Sequence, residues 1–270
     1  MNMLAVIVSV YKNDRLEYFQ PCMESLLKQT YSNTDIWIQF DGIVSEQIEA
    51  YLAGLNNAHI FIRKREYNKG LACSLNELLD EVLQQDYRYI ARMDADDICF
   101  PYRFQRQIEY MEIHPQVDIC GGYIDEMDEE GKSIGIIEYP LEHTKMKVFF
   151  GRRNPLAHMT VFFRRTYFEK AGYYPTDTNK DEDTMLWLKG FLGGCIFANI
   201  NEPLVKVRVN NDFYCRRNGL SKSWSDLKNR CFIIHALKLS PTNYMFAFGR
   251  FLFFTLPLPW LTKLTYRYLR

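Results

Sequence analysis

The sequence lacks the features that mark several classes of protein. Its seven cysteines are scattered and odd in number, and none forms a Cys-x-x-Cys pair, which argues against a disulfide framework and a structural zinc site. No basic segment, apolar run and cleavage site open the sequence, so no secretory signal is expected. These absences predict a reduced, cytoplasmic protein.

Glycine-based nucleotide-binding signatures are also missing. The sequence contains no Gly-x-Gly-x-x-Gly, and the Gly131-Lys132-Ser133 triplet has Glu126 where a P-loop carries its first glycine. There is no internal repeat or low-complexity segment. With 47% hydrophobic and 24% charged residues, the 270-residue chain has the composition of a folded protein with one sizeable core.

Acidic residues are scarce towards the C-terminus. The whole chain is neutral, but residues 203–270 contain 12 Lys and Arg against 2 Asp and Glu, whereas residues 1–202 contain 21 against 31. The basic end predicts an anionic partner. We expect no nucleic-acid partner.

Alternating apolar runs predict an α/β fold. Between residues 4 and 97, four strand-like runs alternate with three runs of helical spacing, which predicts a mostly parallel central sheet with helices on both faces. The predicted strands are 4–10, 36–40, 60–62 and 87–93, and the predicted helices are 16–29, 46–55 and 71–83. The second half is more mixed: it predicts helices at 103–112, 167–171 and 181–192, strands at 160–163 and 205–209, and a hairpin of 117–124 with 133–138.

The main candidate site is Asp94-Ala95-Asp96-Asp97, directly after the fourth predicted strand. Three carboxylates so close together repel one another and resist burial. A divalent cation such as Mg²⁺ or Mn²⁺ accepts these oxygen ligands, and substrate phosphates often complete its shell. Alternation places Asp94 and Asp96 on one side, where both reach one cation, or a cation and a ribose. The alternative is a turn cluster before Pro101.

Two earlier segments are predicted to share this ligand-binding edge of the sheet. Asp41 ends the second strand before Gly42, either as an acceptor for a base or sugar or as an ordinary Asp-Gly turn. Asn68 precedes the strongest helix. It is either that helix's N-cap or, with Gly70, part of a helix start that offers N–H groups to an anion.

The second half holds further candidates. Glu182 and Asp183 begin a helix, where acids complement the helix dipole, and a positioned carboxylate there is also a general base for a hydroxyl. His158 and Trp187 are candidates for acceptor contacts, although a single His is more often structural and the spacing of Trp187 favours a core position. Arg208, Arg216 and Arg217 either bind a diphosphate or simply belong to the basic C-terminal end.

Residues 244–261 are strongly apolar and aromatic, with one arginine and two prolines. A membrane-spanning helix needs about 20 apolar residues. This segment is too short for that and carries a charge. We therefore predict that it lies in the plane of a membrane surface, with three basic residues near the lipid headgroups. The alternative is a helix packed on the protein's own core. The basic residues are Lys263, Arg267 and Arg270.

Together these segments resemble the family 2 glycosyltransferases with the GT-A fold, especially bacterial members that build polysaccharide and O-antigen repeat units. The resemblance covers residues 4–210. It is carried by Val8–Tyr11, Ser25–Tyr31, Asp41-Gly42, Asn68–Ala72, Arg92–Asp97, Pro101, Arg103, Glu182-Asp183 and Leu186–Leu188. We expect a catalytic domain at 1–210, with a nucleotide-binding half at 1–98 and an acceptor-binding half at 99–210, followed by a helical, membrane-surface segment at 211–270.

The resemblance implies transfer of a sugar, with inversion, from a nucleotide-sugar, expected to be a UDP-sugar. Asp94-Ala95-Asp96 is the Asp-x-Asp motif for Mn²⁺ or Mg²⁺, with Asp96 the principal metal ligand and Asp94 nearer to the ribose or sugar. Asp183, beside Glu182, deprotonates the acceptor hydroxyl. The implied donor-binding residues are Val10, Tyr11, Asp41, Asn68, Gly70, Arg92, Asp94 and Asp96.

The implied acceptor is a saccharide linked to a polyprenyl diphosphate, presented at the cytoplasmic face of the inner membrane. The chain departs from the family at Phe40, where many members have a second Asp, and at Asn210, where many have a His, so no third protein ligand for the metal is defined. The Gln-x-x-Arg-Trp signature of processive synthases is absent, which predicts transfer of a single sugar.

The acidic motif is also compatible with three alternative functions. Phosphatases with an Asp-x-Asp motif prefer Thr or Val at the position of Ile98, and their motif follows the first strand. A nucleotidyltransferase needs a basic loop near the N-terminus, where Lys12 and Arg15 are thin support. A catalytically inactive sugar-nucleotide binding protein is the third alternative, and an Asp183→Asn variant separates it from an enzyme.

Overall fold

A computed structural model describes residues 4–178, 181–209 and 220–255. Several predictions lie outside these residues. They are the metal-ligand position at Asn210, the roles of Arg216 and Arg217, and the part of the apolar segment from residue 256 onwards, with its three basic residues.

The first half of the chain confirms the predicted alternation. Strands β1 to β4 lie in the order β3-β2-β1-β4, and all three pairings are parallel. The strands are β1 Leu4–Tyr11, β2 Thr34–Asp41, β3 Ile60–Lys64 and β4 Tyr89–Met93, and the helices between them are α1 Leu16–Leu27, α2 Glu46–Leu55 and α3 Leu71–Val82. The carboxyl ends of these strands therefore meet at one edge of the sheet.

The second half extends the same sheet with mixed strand directions. Beyond β4 the order is β8-β6-β9-β5; β8 is antiparallel to both neighbours, whereas β9 is parallel to β6. The predicted hairpin is confirmed as the antiparallel pair of β6 and β7. The elements are β5 Ile98–Cys99, α4 Arg103–Ile113, β6 Ile119–Met127, β7 Ser133–Ile137, α5 His143–Phe150, β8 Phe162–Arg164, α6 Thr166–Ala171, α7 Glu182–Leu192 and β9 Phe197–Arg208.

Strand β9 is longer than its sequence pattern predicts. The strand predicted at 205–209 begins at Phe197 in the structure. The first half of β9 contains polar residues and therefore lacks an apolar strand pattern. This part pairs with β6 through register shifts, where Tyr123 pairs with Pro203. A bulge accommodates a proline and polar residues that a regular central strand would exclude.

The two faces of the sheet bury separate hydrophobic clusters. Along β1, Val6 and Val8 pack on one face, and Ala5 and Ile7 pack on the other. Because both faces are covered, β1 reads as an uninterrupted apolar run rather than an alternating one.

Two helices, α8 Leu220–Ala236 and α9 Thr242–Thr255, follow the sheet domain. They pack against each other, with the rings of Trp224 and Phe251 5.7 Å apart in an edge-on arrangement. This confirms the helical character predicted for the described part of the C-terminal segment. No helix in the described part of the chain is both long enough and apolar enough to cross a membrane.

Candidate active site

The ends of β1, β2 and β4 bring the predicted donor-binding residues to one edge. Tyr11 pairs in register with Asp41, and Val8 pairs with Met93, so Asp94 follows directly beside the end of β1. The side chain of Val10 is fully buried in the core. The predicted assembly of these segments at one edge follows from parallel strand pairing.

Asp41 organises the loop that leads into α3. Its carboxylate accepts hydrogen bonds from the backbone N–H groups of Lys69 at 2.7 Å and Gly70 at 3.0 Å, and it forms an ion pair with Arg65. The Asn68 amide donates to the Asp41 carbonyl oxygen at 3.1 Å. The alternative prediction that Asn68 caps α3 is wrong: Gly70 is the N-cap residue, with φ 90°. A backbone with positive φ requires glycine at the position that an Asn cap would fill.

Gly42 allows this loop to lie against the end of β2. Its φ is 84°, and a Cβ atom at this position would lie 2.9 Å from the backbone nitrogen of Asn68. The two loops frame an open cavity of about 440 Å³, a volume in the range of small-ligand sites. The cavity is lined by Lys12, Asp41, Gly42, Ile43, Val44, Ser45, Glu66, Tyr67 and Asn68.

The three carboxylates after β4 have different surroundings. Both oxygens of Asp94 accept hydrogen bonds from Arg92, one of them at 2.6 Å from Nη1. Asp97 is buried and accepts the backbone N–H of Arg208 at 3.0 Å, which ties the cluster to the end of β9. Burial, followed by the charges of Asp96 and Asp94, raises the pKa of Asp97 well above its ordinary value. Asp97 is thus the structural member, while Asp94 and Asp96 are partly exposed.

Arg92 is the buried counter-ion of this cluster. Only 2% of its surface is exposed, and its guanidinium lies behind Asp94. A carboxylate offers about four lone-pair sites, so Asp94 keeps acceptor capacity while paired with Arg92. A direct contact between Arg92 and a donor stays a prediction.

The carboxylates after β4 suit a hard divalent cation that takes most of its ligands from water and substrate. The described residues hold no group of three His, Cys, Asp or Glu side chains arranged around a metal position. Asp94 and Asp96 supply carboxylate oxygens, and their charges add to the effect of burial in raising the pKa of Asp97. Mg²⁺ and Mn²⁺ fit such a site, since one or two carboxylates commonly hold them together with substrate phosphates and water.

Glu182 and Asp183 begin α7 and are both partly exposed. Oδ1 of Asp183 accepts the backbone N–H of Thr184 at 2.6 Å, and Oδ2 accepts the side-chain amide of Asn154 at 3.0 Å. Burial raises the pKa of Asp183. Burial also raises the pKa of Glu182, and the charge of Asp183 adds to that effect. A raised carboxyl pKa suits a residue that takes up a proton during a reaction.

Tyr174 lies near both acidic groups, and no local sequence pattern marks it as a site residue. Burial raises the pKa of Tyr174, and the nearby charges of Arg92, Asp183, Glu182 and Asp94 also act on it. Asn76 of α3 holds the Tyr174 backbone through hydrogen bonds of 2.8 and 3.0 Å. The start of α7 and the end of β4 therefore both lie near Tyr174.

His158 and Trp187 lie behind this site. His158 Nε2 is 2.9 Å from the Tyr174 hydroxyl, and burial lowers the pKa of His158 well below its usual range. Trp187 is fully buried and meets His158 edge-on at 5.8 Å. The burial of Trp187 agrees with the core alternative, and the acceptor contacts of both residues stay predictions.

Two curated relatives cover most of the chain. It is 36% identical over 239 residues to the amylovoran biosynthesis glycosyltransferase AmsE of Erwinia amylovora, covering 88% of this chain and 86% of the relative. It is 25% identical over 245 residues to the UDP-Gal:alpha-D-GlcNAc-diphosphoundecaprenol beta-1,3-galactosyltransferase of Escherichia coli, covering 89% and 86%.

Solved structures share the fold at low sequence identity. TarS of S. aureus in complex with UDP-GlcNAc superimposes with a TM-score of 0.61 at 15% identity, covering 92% of this chain and 80% of that one. The mannosyltransferase PcManGT from Pyrobaculum calidifontis, in complex with GDP-Man and Mn²⁺, gives a TM-score of 0.63 at 13% identity, covering 92% and 73%. These similarities confirm the predicted GT-A fold.

The family model described as Glycosyl transferase family 2 matches residues 5–172, which is more than half of the chain. The 36% identity to AmsE extends over most of both chains. The chain therefore belongs to the family 2 glycosyltransferases, as the motifs of its sequence predicted.

Proposed function

We propose that the chain transfers a single sugar, with inversion, from a UDP-sugar to a lipid-linked saccharide during synthesis of a cell-surface polysaccharide. The observation that carries the proposal is that carboxylates of both acidic groups, after β4 and at the start of α7, lie near enough to Tyr174 for their charges to act on its pKa. A donor held by the first group and a base in the second would suit displacement from the face opposite the leaving group.

The donor half of the proposal rests on the edge of the first four strands. The cavity beside Asp41 has room for a nucleoside, and it opens next to the loop that Asp41 holds in place. TarS, with the same fold, binds UDP-GlcNAc, and the E. coli relative is named for UDP-Gal. A UDP-sugar lying along this edge would direct its diphosphate towards Asp94 and Asp96.

The catalytic half rests on Asp183. In its ionised form the carboxylate accepts the proton of the acceptor hydroxyl as that oxygen attacks the anomeric carbon. Because the pKa of Asp183 is raised, the ionised base is lost as pH falls through that value, so activity should decline on the acid side. Asp94 and Asp96 would hold Mn²⁺ or Mg²⁺, which, when bound, supplies positive charge that offsets the charge of the departing diphosphate.

The acceptor half follows from the relatives. AmsE is named for amylovoran biosynthesis, and the E. coli relative is named for an acceptor sugar on diphosphoundecaprenol. A similar acceptor would be presented at a membrane surface. Cytoplasmic, peripheral association of this chain with the inner membrane belongs to the same proposal.

Product analysis tests the proposed reaction. The full chain is incubated with Mn²⁺, a polyprenyl-diphosphate-linked N-acetylhexosamine, and UDP-glucose, UDP-galactose, UDP-GlcNAc or GDP-mannose in turn. We expect one UDP-sugar to react, the product mass to increase by one sugar, and the new linkage to be β when the donor is α. Repeated addition, retained configuration, or a preference for GDP-mannose would contradict the proposal.

The described part of the C-terminal segment supports membrane-surface binding. Helix α9 exposes 78% of Met245 and 54% of Phe248, and α8 adds half-exposed aromatic rings at Trp224 and Phe232. The excess of basic residues in 203–270 complements an anionic lipid surface. An amphipathic helix pair with these side chains is suited to insertion at the headgroup level.

Vesicle sedimentation measures this binding. We expect the protein to sediment with phosphatidylglycerol vesicles more than with phosphatidylcholine vesicles, and a Met245→Ser/Phe248→Ser variant to bind at least about tenfold more weakly because it buries less apolar surface. Ile113→Ser is the control, since Ile113 is an apolar residue that is 73% exposed on α4, away from the C-terminal helices. Unchanged binding by the double variant would exclude α9 as the membrane contact.

A further inference from the structure

Helix α8 is hydrogen-bonded to the beginning of α7, where the proposed base lies. Asp181, the N-cap residue of α7, is buried and accepts hydrogen bonds from Lys222 at 2.8 Å, Ser225 at 3.2 Å and Asn229 at 2.9 Å. These three residues recur at helical spacing, so they lie on one face of α8. The C-terminal helices therefore contact the catalytic part of the domain directly.

Arg230 lies on the same helix and is also buried. Its Nη1 donates to the carbonyl oxygen of Phe150 at 2.8 Å, and its Nη2 donates to Oδ1 of Asn154 at 2.8 Å. Its Nε lies 3.7 Å from Asp226, which also pairs with Arg250 of α9 at 2.9 Å. One guanidinium thus connects α8 to the loop that carries Asn154.

Asn154 connects Arg230 to the proposed base. Its side-chain amide has one end that donates and one end that accepts. The amide nitrogen donates to Asp183 Oδ2 at 3.0 Å, while the amide oxygen accepts from Arg230. The hydroxyl of Thr184 lies within 3.1 Å of both ends and tolerates either orientation, because a hydroxyl both donates and accepts.

A guanidinium can only donate hydrogen bonds. It therefore favours the amide orientation that places the Asn154 oxygen towards Arg230, and it disfavours the flipped orientation. We infer that Arg230 is a positioning residue for Asp183: by binding the Asn154 amide oxygen, it directs the amide N–H group at the carboxylate. This inference rests on the proposed role of Asp183 as base. It places a requirement for catalysis in α8, outside the residues that meet the donor.

The charges around Asp183 determine the expected pH effect. Asp181 and Glu182 are the acidic neighbours at the start of α7, Tyr174 is a neutral neighbour, and Arg92 of β4 and Arg230 of α8 are the positive groups. Without Arg230, one positive charge is lost and the amide is free to turn its oxygen towards the carboxylate. Both changes disfavour the ionised base, so its pKa rises and the acid side of the activity profile moves to higher pH.

The test compares Arg230→Met and Arg230→Lys with Lys228→Met, which removes an exposed positive charge from the same helix. For Arg230→Met, we expect kcat at neutral pH to fall about tenfold and the acid limb of kcat to move up by roughly half a pH unit, with KM for the donor within about twofold. Arg230→Lys should recover part of both effects. Lys228→Met should resemble the unaltered protein.

Asn154→Ala breaks the same connection without removing a buried charge, and it should shift the acid limb in the same direction. It carries the test if Arg230→Met does not fold. If both variants lower kcat or thermal stability while the pH profile stays in place, Arg230 is only structural and the inference fails. If Asp183→Asn retains full transfer, the proposed base itself is wrong, which is a separate outcome.

Discussion

Replacing Asp96 with alanine is expected to weaken Mn²⁺-dependent UDP binding at least about 100-fold, since even indirect partners of a metal site commonly contribute 10- to 100-fold. Asp96 is partly exposed at the edge where β1, β2 and β4 end. Burial raises the pKa of Asp97, and the negative charge of Asp96 adds to that effect. Without a cation the removal of one repelling carboxylate should be tolerated, so the variant should fold normally.

Calorimetric titration with UDP, with and without Mn²⁺, separates the metal-dependent part of this affinity. UDP binding in the absence of metal should change little in Asp96→Ala, because the cavity beside Asp41 remains intact. Asp86→Ala, an exposed carboxylate before β4, is the matched control. If Asp96→Ala binds UDP with unaltered Mn²⁺ dependence, the acidic cluster is not the metal site.

Asp183→Asn is expected to lower kcat by roughly 10²- to 10⁴-fold, the contribution typical of a positioned general base. The affinity for the UDP-sugar should stay within about twofold, because Asp183 belongs to the acceptor side of the proposed cleft. An asparagine keeps the shape of the side chain and an oxygen for the N–H of Thr184, but it cannot take up a proton.

Single-turnover rates and donor affinity are both needed for this variant. Glu182→Gln is the natural comparison, since Glu182 is the adjacent carboxylate and its pKa is also raised by burial. A smaller loss is expected there, because Asp183 is the residue held by Asn154 and Thr184. A larger loss in Glu182→Gln than in Asp183→Asn would transfer the role of base to Glu182.

Much of the fold could be predicted from the sequence because β1, β2 and β4 are buried on both faces. Burial on both faces produces uninterrupted apolar runs, which periodicity detects reliably. Helix α5 was not predicted, since only Met146 and Phe150 are buried among its eight residues. The two-residue strand β5 was missed because its partner strand is distant in sequence.

The candidate site could be predicted where its residues form local sequence patterns or follow the predicted parallel strands, as Asp41 does. The acidic cluster and the Glu182-Asp183 pair are local patterns, although the family model ends at residue 172, before the second of them. Tyr174 and Asn154 gave no such signal. Their roles depend on contacts with Asn76 and Arg230, 98 and 76 positions away, and no periodic pattern encodes a contact at that distance.

The three hydrogen bonds between Asp181 and α8 have a consequence for protein engineering. A chimera that exchanges the C-terminal helices between related glycosyltransferases, for instance to redirect one to a different membrane, would separate an acid from its three donors. Such a chimera needs a compatible residue at position 181 and compatible partners along α8. Otherwise the enzyme would lose activity for reasons unrelated to the membrane that it is meant to reach.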